Sequence, residues 1–176
     1  IDEQDFMDRA RLLCSLGQTV LISNFQEYYK LVEYFNLYSK KRMVLSMGVN
    51  NLIDIFDEKY YRHLSGGILE AFGKLFHKDL KVYLYPMLSE EGTLITSENL
   101  KVHPRMKELY KFFKYTGKLV DIKNYRPEIL NIFSRKVLKM IAKGEDGWEP
   151  LLPSVVSNMI KEQQLFGFSE KEVPAK

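Results

Sequence analysis

Three short segments carry the side chains best suited to hold a ligand. Ser23-Asn24 follows the β-rich run Thr19-Val20-Leu21-Ile22. A hydroxyl and a carboxamide at the carboxyl end of a strand, together with the free amides of a following helix, can bind phosphate; the same pair is also an ordinary helix cap. Gly48-Val49-Asn50-Asn51 follows a second β-rich run. Its glycine permits close backbone approach, and Asn50 and Asn51 supply donors and acceptors without charge, although a plain turn with a cap has the same composition. Ser65-Gly66-Gly67 opens a helical pattern, and two glycines let the backbone fold tightly and turn bare amides toward an anion. The segment is neither a Walker loop nor Gly-x-Gly-x-x-Gly, and Gly67 and Gly73 equally suit close helix packing. Glu70 lies one turn into that helix, placed to accept from a ribose-like hydroxyl, and four residues before Lys74 it forms an i,i+4 pair.

Other reactive residues point away from metal or nucleophile chemistry. His63, His77 and His103 are isolated, and no spacing resembles a zinc site. Cys14, the only cysteine, cannot form an intramolecular disulfide; within Ala10-Arg11-Leu12-Leu13-Cys14 it reads as a buried, inert thiol on the apolar face of a helix. Asp54, Asp57, Glu58 and Glu70 form a loose acidic group of the kind found on solvated helix faces. Nothing in the sequence names a cofactor. Eleven Tyr, eleven Phe and one Trp, with Tyr28-Tyr29 and Tyr60-Tyr61 in tandem, exceed what a small core needs and suit a core plus a contact surface.

The elements that must position these groups alternate. Apolar residues at 6, 10, 13 and 14 before Gly17 describe a helix. Thr19–Ser23 reads as a first strand, and Asn24 as the cap of a helix carrying Phe25, Tyr28, Tyr29, Val32 and Phe35 on one face. Met43–Met47 is a second strand, 50–62 a helix with Leu52, Ile53 and Phe56 inward, 68–76 another helix and Leu80–Tyr85 a third strand. Residues 93–96 suit a short edge strand, Pro104 opens a helix that stops at Gly117, and 118–122 is a fourth strand. Helices capped by Ser134 and starting at Pro153 follow, with a polar tail over 169–176 expected to fray.

This order predicts an α/β fold: a three-layer αβα arrangement around a mainly parallel sheet of four to five strands, Rossmann-like or haloacid-dehalogenase-like in topology, as a single domain over 1–168. Ligands of such sheets bind outside the carboxyl ends of the strands. Ser23, Asn24, Gly48, Asn50, Asn51, Gly66, Gly67 and Glu70 would then share one rim, as binding rather than catalytic groups. A chain of 176 residues, 45% apolar and 28% charged, is neither a disordered tail nor a disulfide-stapled miniprotein. Its net charge of +3 gives no case for a nucleic-acid or anionic-membrane surface. No apolar run approaches the ~20 residues of a membrane span, no signal peptide is present, and one cysteine suits a reducing cytoplasm. The opening on Ile1, straight into a helical pattern, suggests a segment of a longer protein, whose remainder is the expected partner beside a homo-oligomeric copy.

The hydrophobic run ending in Ser23-Asn24 is similar to the second motif of haloacid-dehalogenase-like hydrolases, but the nucleophilic Asp-x-Asp of that fold is absent, so the likeness is one of topology. A broader resemblance rests on Thr19–Asn24, Glu27-Tyr28-Tyr29, Phe56–Tyr61, Gly66–Phe76, Ile132–Arg135, Gly147-Trp148-Glu149 and Leu165–Phe168. These blocks resemble the carboxyl-terminal part of a bacterial family commonly labelled nicotinate-nucleotide adenylyltransferase, or sometimes TonB-dependent receptor. The first label implies a His-x-Gly-His motif and a Ser/Thr-rich, Arg-containing motif for ATP phosphates; this segment has neither. The second implies a barrel of alternating strands, which a mostly helical pattern does not match. Both labels fail on this segment, and the strand-end residues together with the resemblance to a carboxyl-terminal part lead to the expectation of an accessory or ligand-binding domain that takes a nucleotide-like or phosphorylated small molecule. Its alternatives are half of an enzyme site for nucleotidyl transfer or phosphate-ester hydrolysis, and a structural oligomerisation domain.

Overall fold

The computed structural model describes residues 2–169. Of the tail expected to fray, all but Ser169 lies outside them. In chain order the elements are α1 (Glu3–Ser15), α2 (Tyr28–Tyr38), β1 (Val44–Gly48), α3 (Val49–Ile55), α4 (Gly67–Leu75), β2 (Lys81–Tyr85), β3 (Met87–Leu88), β4 (Leu94–Ile95), α5 (Lys107–Tyr115), β5 (Leu119–Asp121), α6 (Ser134–Ala142) and α7 (Ser154–Gln163). Short 3-10 turns occupy Glu58–Tyr61 and Pro104–Met106. The chain divides into two compact units, one made of residues 1–23 with 132–176 and the other of 24–131. No helix among the described residues is long and apolar enough to cross a membrane.

The 24–131 unit is α/β. Its sheet is parallel, with β2 between β1 and β5, and β3 and β4 form a separate antiparallel pair. The strands pair in chain order, so successive right-handed crossovers step the same way and leave their helices on one side. The register shows which side. Leu45 sits opposite Val82, Met47 opposite Leu84, and Val82 opposite Leu119. These five share one face and pack into, or against, a single core with residues of α2, α3, α4 and α5. Val44, Ser46, Tyr83 and Val120, on the other face, belong to neither core. The core is held by aromatic edges: Phe72 meets Phe56 at 4.9 Å and Phe113 at 5.2 Å, and Phe76 stacks on Phe113 at 4.3 Å.

The parallel sheet has three strands where four to five are expected, because Thr19–Ser23 is not a strand. β-propensity makes a strand only where a neighbour supplies a ladder. Among the described residues no backbone hydrogen bond joins 19–23 to a neighbour, and Leu21 and Ile22 are exposed. Asn24 does not cap the next helix. The chain stays extended to Glu27, whose φ of −103° and ψ of 134° mark the true start of α2. The helix expected over 50–62 breaks in two because Asp57 turns extended and its carboxylate accepts from the Lys59 amide at 3.0 Å. Ile53 consequently faces solvent, while Leu52, Ile55 and Phe56 are buried.

The other described unit is helical. α1, α6 and α7 contribute to a small core of Leu12, Val137, Ile141, Trp148, Val156, Ile160 and Leu165. The buried side of α1 is Asp8 and Leu12, so Cys14, about 200° round the helix from Leu12, is exposed rather than buried. Asp8 is satisfied by Gln4 Nε2 at 2.8 Å and Arg11 Nη1 at 3.1 Å.

Candidate functional site

Parallel strands gather their carboxyl ends on one rim of the sheet. α3 leaves β1 at that rim, and the helices that return the chain to the start of a strand begin near it. The first turns of α2, α4 and α5 are therefore the places to look. A cavity of about 230 Å³ lies among Gln26, Glu27 and Tyr28 ahead of and at the start of α2, Asn51, Asp54 and Ile55 of α3, and Tyr60 and Tyr61. Asn51 and Asp54 are three residues apart, and Asn51 and Ile55 four, so one face of α3 presents all three.

Each tandem tyrosine pair splits its duties. Tyr29 and Tyr61 are buried in the core, with ring centroids 6.3 Å apart. Tyr61 donates from its hydroxyl to the Ile55 carbonyl at 2.8 Å, and burial pushes its ionisation well above the usual phenol range. Tyr28 and Tyr60 are left at the cavity, and Lys59 Nζ sits 4.7 Å from the centroid of the Tyr60 ring. Beside the cavity, Tyr29 Oη and His63 Nε2 are hydrogen-bonded at 3.0 Å. Glu27 Oε2 holds Lys30 Nζ at 2.8 Å, and its Oε1 lies 3.8 Å from the same His63 nitrogen. The Lys30 hydrogen bond keeps the Glu27 carboxyl below its ordinary value.

The lining thus contains two carboxylates, two carboxamides and three phenols, and no cation. Such a wall accepts hydrogen bonds, can stack on a flat ring and repels phosphate. Its volume is below that of sites for drug-sized ligands, which begin near ~300 Å³, and suits a single ring system.

Of the residues expected to share the rim, only Asn51 lines this cavity. Ser23 and Asn24 are exposed, and the division between the two units falls between them. Gly48 ends β1, and Asn50 is exposed on α3. Gly66 and Gly67 open α4, Gly67 with φ of +55°, a conformation that favours glycine. Neither amide is bare: Glu70 Oε2 accepts from the Gly66 amide at 3.0 Å and the Leu64 carbonyl from the Gly67 amide at 3.0 Å, and Glu70 Oε1 holds Lys74 at 3.0 Å. Both bonds to Glu70 depress its carboxyl below the usual range, the Gly66 bond more.

A second cavity, of about 310 Å³, opens on the other side of the 53–62 segment. Phe56 and Met106 are buried in its floor, and Arg62, His103 and Arg105 are exposed at it. Its far wall is fixed from below. Asp121, at the end of β5, accepts from the Ser97 amide at 2.9 Å and hydroxyl at 2.7 Å. Tyr110 donates to the Ser97 carbonyl at 2.7 Å, which anchors the chain leading to His103. Among the described residues no group of three or more His, Cys, Asp or Glu is placed to hold a metal ion. Sequence reasoning missed Gln26, Glu27, Tyr60 and the basic residues of the second cavity, although the tandem tyrosines carried a signal for two of the first cavity's walls. Comparison with protein-family models, curated proteins and solved structures finds no match to this chain.

Proposed function

We propose that this chain is a ligand-binding α/β module that holds the ring of a nucleotide-like small molecule, a nucleobase or nucleoside, at the carboxyl rim of its sheet. The observation that carries the reading is the lining of the 230 Å³ cavity: the exposed Tyr60 ring and the half-buried Tyr28 ring, the Asn51 and Gln26 carboxamides, and the Glu27 and Asp54 carboxylates, with no cation. Carboxamides read the donor–acceptor edge of a base, carboxylates accept from amino or hydroxyl groups, and tyrosine supplies stacking area. With two carboxylates and no cation in the lining itself, the cavity disfavours a phosphate. The finer, three-layer reading of the fold is kept as part of this proposal and requires a second layer over the face that carries Ser46, Tyr83 and Val120.

The test is a thermal-shift series with nucleobases and nucleosides at millimolar concentration on the wild-type chain, Asn51→Leu and Tyr60→Ala. Both side chains are exposed, so neither change threatens the fold. A rise in Tm in the wild type that both substitutions abolish supports the reading. No rise with any of these compounds, or a rise that survives both substitutions, removes it.

A further inference from the structure

The second cavity has the opposite character, and we infer that it is an anion-recognition site for a small molecule with a flat apolar body and a phosphate or carboxylate group. The floor supplies the apolar half: Phe56 and Met106 are buried, and Val102 is half-buried beside them. The rim supplies the charge. Arg62 follows the 3-10 turn at 58–61, and Arg105 lies in the turn at 104–106, so the two guanidinium groups reach the groove from separate elements.

Charge accounting favours an anion. Lys59 and Asp57 neutralise each other through a 2.6 Å ion pair, and the Asp57 carboxyl is held low by that bond. Glu58 is the remaining carboxylate of the lining, set against Arg62 and Arg105. Among the described residues neither of these two arginine side chains has a hydrogen bond or an ion pair within 4 Å, although Arg62 attracts the Asp57 carboxylate at longer range; Arg9, Arg11, Arg42 and Arg126 are paired, and Arg135, outside the groove, is not. Guanidinium groups present planar pairs of donors that match carboxylate and phosphate oxygens. His103 adds a directed donor. Its Nδ1 accepts from the Arg105 amide at 3.4 Å, which places the proton of the neutral ring on Nε2. At about 310 Å³ the groove is within the range that holds small organic ligands, and larger than the acidic cavity across the 53–62 segment.

The inference does not depend on the nucleoside reading of the first cavity, and its test uses different probes. Titration calorimetry on the 176-residue chain compares phenyl phosphate, benzoate and inorganic phosphate. Phenyl phosphate should bind at least tenfold more tightly than inorganic phosphate, with benzoate between them. Arg62→Gln and Arg105→Gln should each weaken phenyl phosphate at least fivefold, Glu58→Gln should tighten it, and Lys123→Gln, an equal change in net charge at an exposed site outside the groove, should leave it unchanged. All four side chains are exposed, so unchanged circular dichroism is expected throughout. Equal affinity for phenyl phosphate and inorganic phosphate would overturn the apolar half of the assignment. No binding at millimolar concentration, or the same loss in Lys123→Gln as in Arg105→Gln, would overturn the whole.

Discussion

The two units solve the same packing problem with different materials. The 24–131 unit closes its core with rings: Phe72 touches Phe56, Tyr61, Phe76 and Phe113, all at edge-to-face angles. The other unit builds around one Trp, which meets Phe168 edge-on at 5.8 Å and shares its buried core with aliphatic side chains, and it keeps a carboxylate, Asp8, among its buried residues. Cavities follow the same division. The helical unit has one of about 600 Å³, but Asp5 and Asp8 there are paired with Arg9 and Arg11 at 2.7 and 3.1 Å. In the α/β unit, Arg62 and Arg105 stand without such partners. The larger hollow also takes in Lys139 and the helix-capping Asp2, so available charge alone does not rank the two; the smaller groove is favoured by two guanidinium groups beside a buried apolar floor.

The comparison breaks most readily at the cores. Phe72→Ala removes a ring that meets four others and should cost about 3–5 kcal/mol, read as a lower urea midpoint by far-ultraviolet circular dichroism. Ile141→Ala, equally buried but an aliphatic side chain in the core that holds Trp148, should cost about 2–4 kcal/mol, followed by fluorescence of Trp148, the only tryptophan. An equal or larger loss at Ile141 would mean that the aromatic net adds nothing beyond the area it buries.

Two hydrogen-bonded carboxylates, the half-buried Asp121 and the buried Asp8, sharpen the contrast at lower energy. Asp121→Asn weakens two bonds that hold Ser97, and should cost about 1–3 kcal/mol. Asp8→Leu replaces a carboxylate whose cationic partner Arg11 is itself exposed and stays hydrated, so stability should change by less than about 1 kcal/mol. Urea titration of both variants checks the pair; a large loss at Asp8 with none at Asp121 would reverse the roles assigned to them.

How much of this was legible in sequence depends on what fixes each element. β1, β2, β5 and the parallel pairing follow from short apolar runs separated by helix-length spacers. α4, α5 and α6 follow from strong 3.6-residue periodicity. Thr19–Ser23 has the composition of a strand, but a ladder is a property of two segments, and composition describes only one. α1 misleads for a related reason: Phe6, Leu13 and Cys14 outline an apolar stripe, yet Asp8 and Leu12 are the buried side because Gln4 and Arg11 satisfy the carboxylate. Of the site, Asn51 was visible as an uncharged polar group after a strand. Tyr28 and Tyr60 were visible only as unexplained excess, since nothing in a Tyr-Tyr pair says which ring the core will take. Glycines at 66 and 67 read as open amides for an anion, but the Gly66 amide is taken by the chain's own Glu70 and the Gly67 amide by the Leu64 carbonyl.

The smallest expected effect concerns the rim of the acidic cavity. Glu27 is ion-paired with Lys30, and the bond lowers its carboxyl in the folded chain relative to the unfolded one. A depressed carboxyl contributes stability that is fully present above the unfolded value and is lost as pH falls through the folded value. Glu27→Gln should therefore be slightly less stable than wild type at neutral pH, and the two should converge as acidity passes below the ordinary carboxylate range. Lys30 is substantially exposed, so water and salt screen the pair and the neutral-pH difference should shrink further in high salt. Melting curves of both proteins from neutral to acid pH, at low and high salt, measure this. A gap that widened toward acid would mean that Glu27 is held protonated, and the cavity wall would then donate a hydrogen bond where it is assigned to accept one.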